Sequence, residues 1–504
     1  MNKTPQGAGA PRQLRMVVAL AAVLSATACS MAPVYERPSL AVPAQLPQQG
    51  ASAPAAQAQP VSELPWTQYF TDTRLQGLIR QALTNNRDLR VAILNVDQLR
   101  AAYQIQNADR FPTLNAGISG TRGPSNASPY PITTTVTGGL TVAAYELDLF
   151  GRVKSLTEAA SAQVLASEQA RKSAHISLVA SVANAYYALW ADRWQQALSE
   201  QTLQTRQEAL KLLQLKFDQG VLNELDLRSA QSLVEGAKIT RAQAQRQWAQ
   251  DLSALSLLVG QPVSPDLLPP QPQLDVMSLG RAADSRGAEQ VVQATLWPEL
   301  RPLPVGLSSD VLLQRPDIAQ AEQQLIAANA NIGAARAARF PRISLTGSAG
   351  VVSDSLSGLF NDGRNAWTFS PSVTVPIFDA GRGKAGVDAA FVKRDIALAQ
   401  YDKAVQTAFK EVADTLVARQ TYADQAQAQL AQAQAEAARL RLSTLRYDSG
   451  VANQLDLLDA QRSLFSAQQA LIAAQLARQQ AEISVYRALG GGWLESSDSS
   501  QASR

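Results

Sequence analysis

Asp456 and Asp459 are the two side chains in this sequence whose spacing most favours joint action. Residues three apart are neighbours on one face of a helix, so both carboxylates point the same way. Asp456 follows Asn453 by three residues, and a carboxylate at that position stabilises the start of a helix. A purely structural role for Asp456 is therefore the alternative to a functional one. Asp459 lies beyond capping range. Carboxylates gathered at a narrow mouth repel one another and attract cations, whereas a solvated helix face is the alternative.

A second pattern with chemical potential is Gly381-Arg-Gly383-Lys-Ala-Gly386, which matches the G-x-G-x-x-G fingerprint of dinucleotide sites. We reject a nucleotide site here. The preceding strand contains Pro376, no strand–helix–strand unit follows, and the related segment earlier in the chain lacks the glycines. The glycines are instead expected to turn the chain from a strand into a helix.

Few other residues favour chemistry. The chain of 504 residues has one histidine, His175, and one cysteine, Cys29, so counting excludes disulfide frameworks and His/Cys metal clusters. His175 is expected on the surface of a long polar helix. No catalytic triad can be assembled, so we expect no enzyme, no metal and no cofactor. The net charge of +3 argues against a nucleic-acid partner.

An internal repeat positions the two aspartates. Residues 445–465, LRYDSGVANQLDLLDAQRSLF, nearly repeat residues 215–234, LKFDQGVLNELDLRSAQSLV, so the chain is one unit built twice. In each copy a glycine ends one helix and an asparagine begins the next, with Asp226 and Asp456 at the third helical position. Each copy is therefore predicted to be the tip of a helical hairpin. The tip residues are Gly220, Val221, Leu222 and Asn223, and Gly450, Val451, Ala452 and Asn453.

The start of the chain is typical of an exported lipoprotein. Two arginines and the apolar run 16–26 form a secretory signal peptide over residues 1–28. Cys29 follows at once and is expected to be acylated, although an idle thiol beside an ordinary cleavage site is the alternative. Ser30 after it points to the outer membrane. Residues 29–65, rich in Pro, Ala and Gln, are expected to form a lipidated N-terminal tether.

The repeats have the same predicted order of elements. Repeat 1, residues 66–261, contains one helix over residues 74–110, strands at about 113–122 and 134–148, and a long helical hairpin with its tip near 220–223. Repeat 2, residues 311–490, contains a helix, strands at about 342–352 and 366–378, and a hairpin with its tip near 450–453. A Pro-rich linker joins them at 262–310, and residues 491–504 are expected to be a flexible tail.

Each predicted strand is about ten residues long and alternates apolar with hydroxyl side chains, as transmembrane β-strands do. A soluble two-sided sheet packed on helices is the alternative. Four strands cannot close a membrane barrel, for which about eight is the minimum, so the chain is expected to oligomerise. Two copies would give eight strands, filled by side chains, whereas three copies would give twelve and leave room for a lumen. Hairpin helices of some 65 residues would extend roughly 100 Å.

Several segments together resemble one family. They are residues 29–38 (CSMAPVYERP), 312–318 (LLQRPDI) and 378–382 (FDAGR), the two Arg-Phe-Pro segments that precede strands, and the two tips. Over nearly the whole mature chain the sequence resembles outer-membrane efflux proteins of the TolC type, and most closely the OprM-like lipoproteins. The resemblance implies a mainly α fold with a transmembrane β-barrel. A homotrimer would share one 12-stranded barrel, continued by a long periplasmic α-helical barrel.

The resemblance also implies a function. The chain would be the outer-membrane exit duct of a tripartite efflux system in a Gram-negative bacterium, passively conducting substrates such as drugs. Its partners would be a periplasmic adaptor (membrane fusion) protein docked at the tips, an inner-membrane pump of the RND type, and outer-membrane lipid. Asp456, Asp459, Tyr447 and Asp226 would form the periplasmic gate, while Ala452 stands where relatives often carry a basic residue. The rival interpretation is a lipid-anchored periplasmic scaffold or adaptor that does not span the membrane.

Overall fold

The computed structural model describes residues 31–39, 42–43, 45–46, 61–126, 128–272, 297–303 and 309–495. The expected signal peptide and Cys29 lie outside these residues. The chain divides into two compact units. Unit 1 draws on Met1–Ser39, Leu94–Gln169 and Ala319–Lys403, and unit 2 draws on Leu40–Ile93, Ala170–Ile318 and Ala404–Arg504.

The described part of the chain is mainly helical, with four strands. The first repeat runs α1 (Trp66–Tyr69), α2 (Thr73–Asn85), α3 (Arg87–Ala108), β1 (Leu114–Pro124), β2 (Ile132–Leu147), α4 (Arg152–Asp218) and α5 (Glu224–Val259). The second runs α6 (Pro316–Ala337), β3 (Arg342–Ser353), α7 (Gly358–Asn361), β4 (Arg364–Thr374), α8 (Arg382–Asp448) and α9 (Gln454–Ala488). Short 3-10 turns lie at Val61–Glu63, Pro265–Leu267 and Ser309–Gln314.

The internal repeat is visible in the element lengths. Helices α4 and α8 each contain 67 residues and begin 230 residues apart. Helices α3 and α6 each contain 22 residues. At 1.5 Å per residue, α4 and α8 are each about 100 Å long. Among the helices of the described residues, none is long and apolar enough to cross a membrane.

The helix expected over residues 74–110 is interrupted, and that prediction was wrong. Asn86 has an extended backbone, with φ −61° and ψ 131°, and ends α2. Its side-chain oxygen accepts a hydrogen bond from the Leu89 amide at 2.9 Å, and its amide group donates to the Leu258 carbonyl at 2.9 Å. Asparagine competes for backbone groups in this way, so it favours a helix start over a helix interior.

The four strands form one antiparallel sheet in the order β1-β2-β3-β4, which lies in unit 1. The register places apolar residues on one face, since Ala349 is opposite Trp367 on β4 and opposite Leu140 on β2. The other face carries hydroxyl pairs, of which Ser348–Thr368 is separated by 2.7 Å. A bulge between Val142 and Tyr145 shifts the register of β2 against β3.

The fourth strand is shorter than the predicted span of residues 366–378. It ends at Thr374, so Val375 and Ile377 lie outside the sheet although they continue the apolar alternation. Proline has no N–H to donate, so Pro376 cannot continue the ladder. Pro371 is tolerated because β4 is the last strand of the sheet within the chain.

The glycine pattern that follows starts a helix and forms no phosphate loop. Helix α8 begins at Arg382, so Gly383 and Gly386 lie within its first turns. The Asp379 carboxylate accepts hydrogen bonds from the amides of Gly381 at 2.9 Å and Gly383 at 2.7 Å. These bonds hold the pKa of Asp379 below its usual range and occupy the amides that an anion would need.

Parts of both predicted flexible ends are packed. Residues 31–39 of the expected tether lie along α6, as described below. Trp493 of the expected tail packs edge-on against His175, with ring centroids 4.9 Å apart, and the Leu494 carbonyl accepts from the Trp66 amide at 2.9 Å. His175 is therefore half-buried, where an exposed position was expected. Burial, with Arg171 nearby, lowers the pKa of His175 to about 4, so it is neutral at pH 7.

Two carboxyl groups face each other between α4 and α5. Asp192 is only 9% exposed, and one of its carboxylate oxygens is buried with no hydrogen-bond partner. Asp251 faces it from α5 and accepts from Gln247 at 3.2 Å. Arg193, the neighbouring cation, instead lies over the Trp248 ring at 3.8 Å. Burial, and then the charge of Asp251, raise the pKa of Asp192 to about 7.

This carboxyl pair predicts a pH dependence of stability. In the unfolded chain an Asp has a pKa of about 3.9, so between about pH 4 and pH 7 the folded state binds more protons at Asp192. The stabilisation that comes from protonated Asp192 is therefore fully present below about pH 4, and it is lost as the pH rises through 7. Melting of the purified protein should shift to lower temperature between pH 5 and pH 8, and Asp192→Asn should reduce that shift. Asp97→Asn, an exposed control, should not. An equal shift in Asp192→Asn would contradict the assignment.

Candidate functional site

The two hairpin tips, both in unit 2, have the same backbone geometry. Gly220 and Gly450 adopt the left-handed conformation, with φ +74° and +70°. At the first tip the Val221 amide donates to the Lys216 carbonyl at 2.9 Å, and at the second the Val451 amide donates to Arg446 at 2.9 Å. These are the bonds of a Schellman motif, which ends a helix and reverses the chain.

The helices that leave the tips are capped as the sequence predicts. The Asn223 side chain accepts from the Asp226 amide at 2.8 Å, and Asn453 accepts from the Asp456 amide at 2.8 Å. Asn223 also donates to the Asp226 carboxylate at 2.9 Å. Asp226 is therefore occupied by capping, whereas Asp456 lies at the same position of an exposed helix start.

Asp459 has a partner that the sequence did not reveal. Arg439 of α8 donates to the Asp459 carboxylate at 2.5 Å, and it also contacts Glu436 and Ser463, each at 3.2 Å. The side chains of Arg439 and Asp459 are about half exposed, at 47% and 50%. The ion pair joins the two helices of the second hairpin near its tip, in a position open to solvent.

Tyr447 links the two hairpins. Its ring lies 5.6 Å from the Lys216 ammonium, which belongs to the last turn of α4. A second contact of the same kind places the Arg206 guanidinium 5.3 Å from the Phe465 ring. A cation attracted to a ring face contributes modestly at exposed sites, so these contacts hold the hairpins side by side without locking them.

Both tips expose apolar side chains at matching positions. Val221 and Leu225 are each 75% exposed, and Val451 and Leu455 are 70% and 63% exposed. Exposed apolar patches can mark protein–protein interaction sites, and the same two positions are exposed and apolar in both tips. Each hairpin thus ends in two exposed apolar side chains, close in sequence to the capping asparagine and aspartate.

Two of the four predicted gate residues have side-chain partners that the sequence analysis did not name. Asp459 and Tyr447 contact Arg439 and Lys216, which were not anticipated. A signal for Arg439 was present, because residues at similar distances from Gly450 face each other in an antiparallel hairpin. Among the described residues, no group of three or more His, Cys, Asp or Glu side chains is arranged to hold a metal ion.

Comparison with known proteins agrees with this architecture. The profile of the family described as "Outer membrane efflux protein" matches residues 78–261 and 307–491. The antibiotic efflux pump outer membrane protein ArpC of Pseudomonas putida is 46% identical over 473 residues, covering 93% of each chain. The solvent efflux pump outer membrane protein SrpC of the same species is 43% identical, covering 94% of this chain and 97% of SrpC.

The fold comparison leads to the same class. The open-state outer-membrane channel MtrE of Neisseria gonorrhoeae superposes with a TM-score of 0.81 at 40% identity, covering 93% of this chain and all of MtrE. A mainly helical chain with a small sheet and two hairpin tips is thus shared with efflux channels of the outer membrane. The chain belongs to the outer membrane efflux protein family. It serves as an exit duct for efflux at the outer membrane of Gram-negative bacteria.

The tip geometry predicts a sharp effect of adding one methyl group. A Cβ built on Gly220 or Gly450 meets no atom within 4 Å, so Gly→Ala there costs only the backbone penalty of a left-handed conformation, about 1–2 kcal/mol. Hydrogen exchange of the tip amides should accelerate roughly tenfold in each variant. Gly236→Ala is the matched control, equally uncrowded but inside α5, and it should slow local exchange. Unchanged hydrogen exchange of the tip amides in both variants would show that the left-handed conformation of these glycines does not stabilise the turns.

Proposed function

We propose that three copies of this chain join their sheets into one 12-stranded transmembrane barrel, continued by a periplasmic barrel of the long helices. The observation that carries this proposal is the sheet itself. Its apolar face is open in the single chain, with Trp367 and Phe369 76% and 62% exposed. Strands β1 and β4 are its outer strands, and each leaves a row of backbone groups unpaired within the chain. In lipid such edges must be paired, which closure with sister chains achieves.

We further propose that Cys29 carries the lipid anchor in the outer membrane. The signal peptide and the position of this cysteine support acylation, as set out above. The partners in this proposal are a periplasmic adaptor and an inner-membrane pump of the RND type. The substrates are small organic compounds such as drugs, since the relatives ArpC and SrpC are named for antibiotic and solvent efflux.

The gate is proposed at the second tip. Asp456 and Asp459 of three chains would place six carboxylates around one opening, where they bind cations and repel one another. The Arg439–Asp459 ion pair and the Lys216–Tyr447 contact would hold the opening closed, and each is weak enough to be exchanged when the hairpins move apart. Asp226 would stiffen the first tip through its bond to Asn223.

Single-channel recording tests the duct and its gate together. Detergent-extracted protein should run as a trimer and conduct in planar bilayers, whereas a periplasmic scaffold would do neither. The double variant Asp456→Asn/Asp459→Asn should open more often, because both the ion pair to Arg439 and the ring of charge are lost. Asp448→Asn, an exposed carboxylate at the end of α8, is the matched control. Wild-type conductance in the double variant would argue decisively against an acidic gate.

A separate prediction concerns the adaptor. Val221→Asp combined with Val451→Asp should weaken binding of the cognate adaptor at least tenfold and abolish pump-dependent drug resistance, because a charge replaces the exposed apolar contact. Trimer formation and bilayer conductance should remain. Leu257→Asp, equally exposed but at the far end of α5, should leave adaptor binding intact. Full drug resistance in the double variant would show that the tips do not dock the adaptor.

A further inference from the structure

Residues 31–37, here called the strap, lie along α6 within unit 1. Arg37 donates to both carboxylate oxygens of Glu322, from Nε at 2.6 Å and from Nη2 at 3.0 Å. The Tyr35 hydroxyl donates to the same carboxylate at 3.1 Å. Glu322 thus accepts three hydrogen bonds from the strap, in the bidentate geometry that makes arginine–carboxylate pairs strong.

Two more side chains of α6 bind the strap's backbone. Asn329 donates to the Pro33 carbonyl at 2.7 Å, and Arg336 donates to the Met31 carbonyl at 3.1 Å. Between them Gly333 allows close approach, because a Cβ there would lie 2.8 Å from the Ala32 backbone nitrogen. The positions 322, 329, 333 and 336 share one face of the helix. The face is therefore a continuous seat for this segment.

The strap and its seat have matching lengths. From Glu322 to Arg336 the helix rises about 21 Å. From Arg37 back to Met31 an extended chain spans at most about 21 Å. Because Arg37 contacts Glu322 and Met31 contacts Arg336, the strap runs antiparallel to α6, with Met31 toward the helix end that leads into β3.

That direction has a consequence for the N-terminus. Helix α6 ends at Ala337 and β3 begins at Arg342, so Met31 is bound by a residue, Arg336, that precedes the strand by six positions. Cys29 precedes Met31 by two residues, a reach of at most about 7 Å. The contacts on α6 thus limit the distance between the expected first mature residue, Cys29, and the start of β3.

Burial makes the Glu322 contact the strongest in the seat. The Glu322 side chain is 11% exposed, and Arg37 is the cation that meets it. A buried carboxylate left without its cation is strongly unfavourable, so loss of the strap would leave an uncompensated charge. Burial and the charge of Glu322 also raise the pKa of Tyr35, which keeps its hydroxyl protonated as the donor.

We propose that Glu322 is the positioning residue for the N-terminal anchor. By clasping Arg37 and Tyr35 it holds the strap against α6, and so limits how far the chain that precedes Met31 can move from this helix. The inference rests on the proposed function in one respect, namely that Cys29 carries lipid and the strand enters the membrane. The clasp itself is independent of both and can be tested without either.

Protease access to the strap measures the clasp. A site must leave its seat to enter a protease, so cleavage by a glutamate-specific protease at Glu36 reports the fraction of undocked strap. In the purified full chain, with the released N-terminal peptide followed by mass spectrometry, Glu322→Gln and Arg37→Gln should each cleave at least about tenfold faster than wild type. Gly333→Ala should do the same through steric exclusion.

Controls separate clasping from general loosening. Gln324→Ala, on an exposed part of α6, should cleave at the wild-type rate. The double variant Glu322→Gln/Arg37→Gln should cleave no faster than the faster single variant, because the two residues share one interaction. Equal cleavage of wild type and Arg37→Gln, a change confined to the strap, would overturn the proposal. Cys29→Ser should not alter these ratios, and absence of acyl groups from wild type would count against lipidation alone.

Discussion

The constraint on which this architecture depends is the pairing of backbone groups at the two outer strands. Four antiparallel strands leave β1 and β4 with unpaired N–H and C=O groups within the chain, and the apolar face of the sheet is open. Water satisfies such groups at a surface, but lipid does not. In the lipid-embedded arrangement proposed above, the outer strands would therefore pair with those of other chains.

Duplication explains the framework, whereas the differences between the copies carry the chemistry. Asp459 and Arg439 of the second hairpin correspond to Ser229 and Ala209 of the first. The Arg419–Glu482 ion pair, at 2.9 Å, corresponds to Leu189 and Leu252. The Asp192–Asp251 pair occurs only in the first copy. The Asn–Asp caps at the tips are present in both copies, whereas these three polar pairs each occur in one copy.

Local chemistry determined which features were predictable from the sequence. The tips were predicted because glycine with positive φ and asparagine as a cap act within four residues. The break at Asn86 was missed because the apolar stripe continues through it, and the end of β4 was missed because Val375 and Ile377 keep the strand alternation beyond Pro376. His175 was misplaced because Trp493, which covers it, comes from the other end of the chain. Arg439 could be inferred from its distance to Gly450, whereas Lys216, which belongs to the other hairpin, required knowledge of which helix faces meet.

Solvent exposure distinguishes the Arg439–Asp459 ion pair from the Arg37–Glu322 ion pair. The Arg439–Asp459 pair at the tip is about half exposed on both sides, so water and salt screen it and its loss is easily repaid by solvation. Glu322, at 11% exposed, cannot be resolvated without undocking the strap, so its pair with Arg37 resists exchange. The same two chemical groups, an arginine and a carboxylate, are thus solvated differently at two places in one chain. The exposed pair suits the proposed gate, which must open, and the buried pair suits the proposed attachment of the strap, which must not. Burial of the carboxylate, more than the identity of its partner, distinguishes the two.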